Sequence, residues 1–161
     1  GRRVRRVKLQ RVVCDDEENH CRLQTVNAMP LLIGKRKKRF IDLATRVAEN
    51  AAQDGYKHGA VLVRGNAVLN VSHNKNAYTR FGERFRRRDR GDATHHAELG
   101  CILGLDRSIT RGADVYVVRV GRSGNLLLSK PCDMCEAALR HVGVRRVYYS
   151  LNDGNFEFYR L

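Results

Sequence analysis

Two short stretches carry side chains able to do metal chemistry. His96-Ala97-Glu98 sets an imidazole two residues before a carboxylate, and Pro131-Cys132-Asp133-Met134-Cys135, which begins 35 residues after His96, sets two thiols three residues apart. Two thiolates and one imidazole suit zinc, and three protein ligands leave the fourth tetrahedral position to water, as in catalytic rather than structural sites. Cys132 and Cys135 at i and i+3 share one face of a helix. Pro131 is favoured at a helix start, and the positive end of the helix dipole lowers thiol pKa so that both sulfurs can bind as thiolates. Glu98 need not touch the metal. Beside water whose pKa coordination brings to about 7, a carboxylate can take a proton, hold it and deliver it to a departing group. The expected chemistry is therefore hydrolytic, with His96, Cys132 and Cys135 holding Zn2+ and Glu98 shuttling the proton. A redox pair at Cys132 and Cys135 is the competing reading of a lone C-x-x-C, but it leaves His96-Ala97-Glu98 unexplained. His95 lacks the H-x-E spacing and reads as a surface or supporting residue. Cys101, one turn beyond Glu98, reads as a small buried apolar residue. Cys14, His20 and Cys21 make at most half of a second metal set.

Elements must exist to bring these residues together. Phe40, Ala44, Val47, Ala48 and Ala51 form one apolar stripe and predict an amphipathic helix from Lys37 that stops at Asp54-Gly55. Ala60–Arg64 and Ala67–Val71 flank Gly65-Asn66 and predict a tight hairpin. The polar stretch from Asn74 to Thr94 reads as a long loop, either functional or a disordered charged insertion. His95–Leu105 and Cys132–His141 are expected as helices, Asp114–Val120 and Val144–Ser150 as strands, and Phe156–Leu161 as a last strand across Asn152-Asp153-Gly154-Asn155. In the first 33 residues, Val4–Val13 reads as a strand that turns at Asp15–Asn19 and returns through Leu23–Val26. The fold class expected is α/β in three layers, one mixed β-sheet flanked by helices, over residues 34–161, with residues 1–33 a basic extension able to form a hairpin.

The 161-residue chain is 42% hydrophobic, enough for one real core. No apolar run approaches the roughly 20 residues of a membrane span, and no secretory signal pattern opens the chain, so a membrane partner is not expected. Five unevenly spaced cysteines do not make a disulfide scaffold and point to a reducing, intracellular compartment. The net charge of +14 is concentrated. Residues 1–11, 35–39 and 80–90 hold 17 of the 31 Lys and Arg and only two acidic residues, which leaves the rest of the chain close to neutral. Charge runs are often plain solvated faces, yet three patches on a neutral body favour a polyanionic partner.

The H-x-E plus P-C-x-x-C pair resembles the signature of the zinc-dependent cytidine and adenosine deaminases. The resemblance runs from about Lys37 to the end and takes in the leading helix, the Gly59–Val63 strand, Asn74 after the second strand, and the Val144–Tyr149 strand. It implies a cytidine-deaminase-like fold, His96, Cys132 and Cys135 as zinc ligands, Glu98 as proton shuttle, Asn74 as the amide that hydrogen-bonds sugar or base, and the backbone N–H groups near Ala97 and Cys132 as groups that orient base and water.

The motif alone does not choose between cytosine and adenine. Met134 is similar to the tRNA adenosine deaminases and occurs among cytosine enzymes as well. The short turn before Phe156 predicts an antiparallel final hairpin, which resembles the branch of free cytidine and several polynucleotide cytosine deaminases. The reading that follows is cytosine-to-uracil deamination in single-stranded or flipped-out DNA or RNA. Free cytidine or nucleotide deamination, tRNA adenosine-to-inosine deamination and a non-catalytic nucleic-acid-binding subunit are the alternatives. Arg80, Arg84, Arg86, Arg87, Arg88 and Arg90, interleaved with Phe81 and Phe85, are the residues expected to track phosphates and stack bases.

Overall fold

A computed structural model describes residues 33–52 and 56–161 in full, and residues 9–14 and 21–26 by their backbone. The chain divides into two compact units, Gly1–Leu31 and Leu32–Leu161. In the first, β1 (Leu9–Cys14) pairs antiparallel with β2 (Cys21–Val26), Leu9 opposite Val26 and Cys14 opposite Cys21. The expected turn at Asp15–Asn19 and the Cys14, His20, Cys21 metal reading lie outside the described residues or their described side chains.

The second unit opens with α1 (Lys35–Glu49), two residues earlier than expected and closed at Asn50. β3 (Lys57–Arg64) and β4 (Ala67–His73) form the hairpin around Gly65, whose φ of 63° only glycine adopts readily. β5 (Lys75–Tyr78), α2 (Arg80–Glu83), a 3₁₀ turn at Arg88–Arg90 and β6 (Thr94–His95) follow. Then come α3 (Ala97–Ile102), α4 (Arg107–Thr110), β7 (Asp114–Val120), β8 (Leu126–Leu127), α5 (Asp133–His141), β9 (Arg146–Ser150) and β10 (Phe156–Arg160). The main sheet runs β10-β9-β7-β3-β4, with β8 on the end of β7. β7 and β9 are parallel, joined through α5, and the other neighbours are antiparallel, so the sheet is mixed.

Strand alternation sorts the two faces. Ala60 and Leu62 of β3, Val115 and Val117 of β7, and Val147 and Tyr149 of β9 join one buried cluster with Leu99 and Cys101 of α3 and Met134, Cys135, Ala138 and Leu139 of α5. The opposite face takes α1, whose Phe40 ring lies 5.3 Å from Tyr116 of β7. Tyr116 stacks on Tyr148 at 4.6 Å, and Tyr148 on Phe158 at 5.3 Å. Three layers result, as expected. The α1 layer sits close because β3 carries Gly59 beneath it: a Cβ there would run into the Ala44 carbonyl and come within 2.6 Å of Ala48 N.

The stretch from Asn74 to Thr94 departs from the expected loop. Lys75 pairs with His95 and Tyr78 with Thr94. Thr79 N–H donates to the Ala93 carbonyl (2.9 Å), and Glu83 accepts from Ala93 N–H (2.9 Å). Thr79 also caps α2. Backbone groups in so polar a segment still need partners, and here the two ends of the segment supply them to each other. The helix expected from His95 is likewise shorter, because Thr94 and His95 belong to β6 and Leu103 leaves the helical conformation.

Candidate active site

His96 and Cys132 are the residues that immediately precede α3 and α5, each in extended conformation with a φ near −73°. The two helices pack on one face of the sheet, and the parallel β7-α5-β9 crossover brings Cys132 back to the end where β7 stops. In parallel α/β arrangements the carboxyl ends of the strands are where sites form. The donor atoms of His96, Cys132 and Cys135 all lie within 4.8 Å of one another. His96 Nδ1 is 3.3 Å from Cys135 Sγ and 3.6 Å from Cys132 Sγ. No disulfide joins the two sulfurs, and their grouping with His96 is what a redox pair alone leaves unexplained. Among the described residues this is the one group of three metal-ligating side chains.

The protonation of the set reflects its crowding. Cys132 is pulled down to about 3, first by the hydrogen bond with Cys135 and then by His96, against the opposing effect of burial. Cys135 is pushed well up because it keeps the shared proton and is buried. His96 is raised by its hydrogen bond with Cys132. Three ligand atoms competing for too few protons in a small space are a set from which a divalent ion displaces protons. Two sulfurs and one imidazole fit zinc.

Glu98, on the first turn of α3, is 5% exposed. Burial pushes its carboxyl above the ordinary carboxylate range, and the neighbouring His96 pulls partway back. Its position beside the ligands comes from the sequence: two residues after His96, it continues the helix that His96 precedes. A cavity of about 250 Å³ opens over the group, with His58, Asn74, Ala97 and Glu98 in its walls along with His96 and Cys132. Ala97, fully buried, also lines this cavity.

Asn74 also reaches the cavity, and its carboxamide has further duties. Its Oδ1 accepts from His58 N–H at 2.9 Å and its Nδ2 donates to the Tyr56 carbonyl at 2.8 Å, so the residue expected to read sugar or base braces the start of β3. His95 is half-buried and lines the same cavity, and a Cβ on Gly100 would strike Ser72 and His95. Cys101 is buried as expected, its thiol donating to the Glu98 carbonyl at 3.1 Å.

The structure separates the arginines from the aromatics of residues 80–90. Arg80, Arg84, Arg87, Arg88 and Arg90 are exposed, while Arg86 is half-buried and donates to the Arg90 carbonyl at 2.8 Å. Phe81 and Phe85 are not free stacking platforms. They pack against the core and each other at 5.4 Å, and Phe85 also meets His141 at 5.4 Å, because so long a polar excursion needs an apolar anchor of its own. The outward ring in this region is Tyr78, 59% exposed. Sequence reasoning passed over His58, Tyr56, Lys75 and Lys130, all in the cavity wall. Period-two alternation from Ala60 and Leu62 was the signal for His58.

Comparison with known proteins adds the following. The model of the cytidine and deoxycytidylate deaminase zinc-binding region matches residues 35–151. A tRNA-specific adenosine deaminase of Agrobacterium fabrum (strain C58 / ATCC 33970) is 33% identical over 124 residues, 73% of this chain and 66% of that protein. Two solved forms of Acinetobacter baumannii RibD align at 18% and 17% identity with a TM-score of 0.45, over 70% of this chain and 27% of theirs. The chain thus spans about two thirds of the length of the curated relative and about a quarter of the solved ones. With a matched region that includes both chemistry-bearing stretches and a structure that gathers them, the chain belongs to the cytidine and deoxycytidylate deaminase zinc-binding family.

Proposed function

We propose that this chain deaminates cytosine to uracil hydrolytically within single-stranded or flipped-out nucleic acid. The observation that carries the reading is the buried Glu98 in one cavity wall with His96 and Cys132. Zinc, held by His96, Cys132 and Cys135, would supply the Lewis acidity that lowers the pKa of water to about 7. Glu98 accepts a proton from the attacking water and passes it to the ring nitrogen, then takes the remaining proton of the new hydroxyl and delivers it to the amine. The oxygen of water ends on the ring carbon, the C–N bond breaks and ammonia leaves. The raised carboxyl suits that work, because a group that both takes and gives protons serves best with a pKa nearer the working pH. Asn74 and the Ala97 backbone hold the base edge and sugar.

Cytosine is supported by the antiparallel pairing of β9 and β10, Phe156 opposite Ser150, across a short turn. A polynucleotide is supported by the five exposed arginines of residues 80–90 and by Lys75 and Lys130 at the cavity. The 33% identical tRNA-specific adenosine deaminase favours a second reading, adenosine-to-inosine conversion in tRNA. Incubation with cytosine-only and adenine-only oligonucleotides, with a tRNA anticodon stem-loop and with free nucleosides separates these readings. The cytosine oligonucleotide gains about one mass unit per converted base under the first. Conversion of the adenine substrates alone would transfer the assignment to the second, and conversion of nucleosides alone would remove the polynucleotide.

A further inference from the structure

His58 is a cavity residue that the mechanism above leaves without work. It shares strand parity with Ala60 and Leu62, whose side chains join the core beneath α3 and α5, so its ring is directed to the face that carries the ligands. Register sets it opposite Arg119 at the end of β7, and its own N–H is pinned by Asn74. Its Nδ1 lies 3.3 Å from the Tyr56 carbonyl. A carbonyl only accepts, so Nδ1 must carry the hydrogen there. Burial and then the charge of Arg119 favour the neutral ring, against that same hydrogen bond. A neutral imidazole protonated on Nδ1 leaves Nε2 as a pure acceptor. Nε2 makes no hydrogen bond among the described residues, and the ring lines the cavity.

The substrate must then bring a donor. On cytosine or adenine within a chain, the donors belong to the exocyclic amine, and that group has to lie against Glu98 and the ligand set to react. The 3′ and 5′ oxygens are esterified. What remains on the target nucleotide is the ribose 2′-hydroxyl, the group by which a protein tells RNA from DNA. Resting on the polynucleotide reading above, we propose that His58 accepts a hydrogen bond from the 2′-hydroxyl of the target nucleotide and so selects ribose at that position.

The test uses three single-stranded oligonucleotides of one sequence with a single target base: all RNA, all DNA, and RNA with 2′-deoxyribose at the target alone. Equilibrium binding is read with a Glu98→Gln variant, and turnover with Glu98 intact. An acceptor in the cavity wall left unpaired when substrate fills the cavity costs enough that the all-RNA strand should be preferred over the single-deoxy strand by about tenfold in both readouts. His58→Phe should bring that ratio close to one, and His58→Gln, which restores an acceptor, should recover part of it; a thermal melt of each variant shows that it is folded. A His58→Phe variant that weakens ribose and deoxyribose targets equally would overturn the assignment, as would a parent protein indifferent to the sugar. Conversion of RNA and DNA alike would leave the polynucleotide reading standing while removing His58 from sugar selection. Conversion of no oligonucleotide would remove both.

Discussion

Glu98 illustrates how one side chain acquires a role from its surroundings. An exposed glutamate stays ionised through the neutral range, whereas this one is buried beside His96 and Cys135 and is held toward its protonated form. The work assigned to it predicts that Glu98→Gln lowers turnover by at least 10²- to 10⁴-fold, the usual share of general acid–base catalysis, while metal analysis still finds about one zinc per chain. Cys132→Ser and Cys135→Ser should behave oppositely and lose the zinc itself, because the serine hydroxyl stays protonated where a thiolate would bind. At this scale the sequence was most legible. Ligand spacing is local, H-x-E and C-x-x-C each fit within one helical turn, and local geometry follows from local sequence. Asn74 and Phe81 and Phe85 were less so. Asn74 was expected at a substrate and also braces Tyr56 and His58. The two phenylalanines were read as stacking platforms and instead anchor their segment to the core. Which way a side chain turns depends on partners distant in sequence.

Among the elements, the approach of α1 to β3 is the most exacting. Gly59 leaves room for the Ala44 carbonyl and the Ala48 backbone, neither of which can rotate away. Gly59→Ala should therefore force α1 off the sheet and cost about 1–3 kcal/mol, the range for overpacking a filled core. A urea titration should show a lower midpoint with an unchanged slope. The long helices and strands were readable because their periodicity is sustained: α1, β3, β4, β7 and α5 all lie where the apolar pattern sets them. β5, β6, α2 and α4 were not, being two to four residues each, too short for any period to register. The stability of β5, β6 and α2 comes from pairing across the ends of the 74–94 excursion, between residues well apart in sequence. That pairing still matters to the site, since β6 runs directly into His96.

At the scale of the whole molecule, the excess charge of the described residues, in 35–39 and 80–90, lies mostly on exposed side chains. The exposed arginines of residues 80–90 predict that oligonucleotide affinity falls steeply with salt. Each phosphate contact on a single strand contributes a slope of about 0.7 in a plot of log affinity against log salt. Replacing Arg84, Arg88 and Arg90 with Gln should flatten that slope by up to about 2 and weaken binding whatever the base sequence, as measured by anisotropy over a salt series. An unchanged slope would show these side chains to be a solvated face only.

The zinc-loaded protein and its Glu98→Ala counterpart, each offered a mixed pool of cytosine- and adenine-containing oligonucleotides and nucleosides and analysed by mass spectrometry, provide the most direct measurement. The three-ligand site with its buried carboxylate predicts a gain of about one mass unit on a polynucleotide cytosine with the first protein and none with the second. A folded protein with zinc bound that leaves every member of the pool unaltered, or a Glu98→Ala protein that converts as fast as its parent, would contradict it.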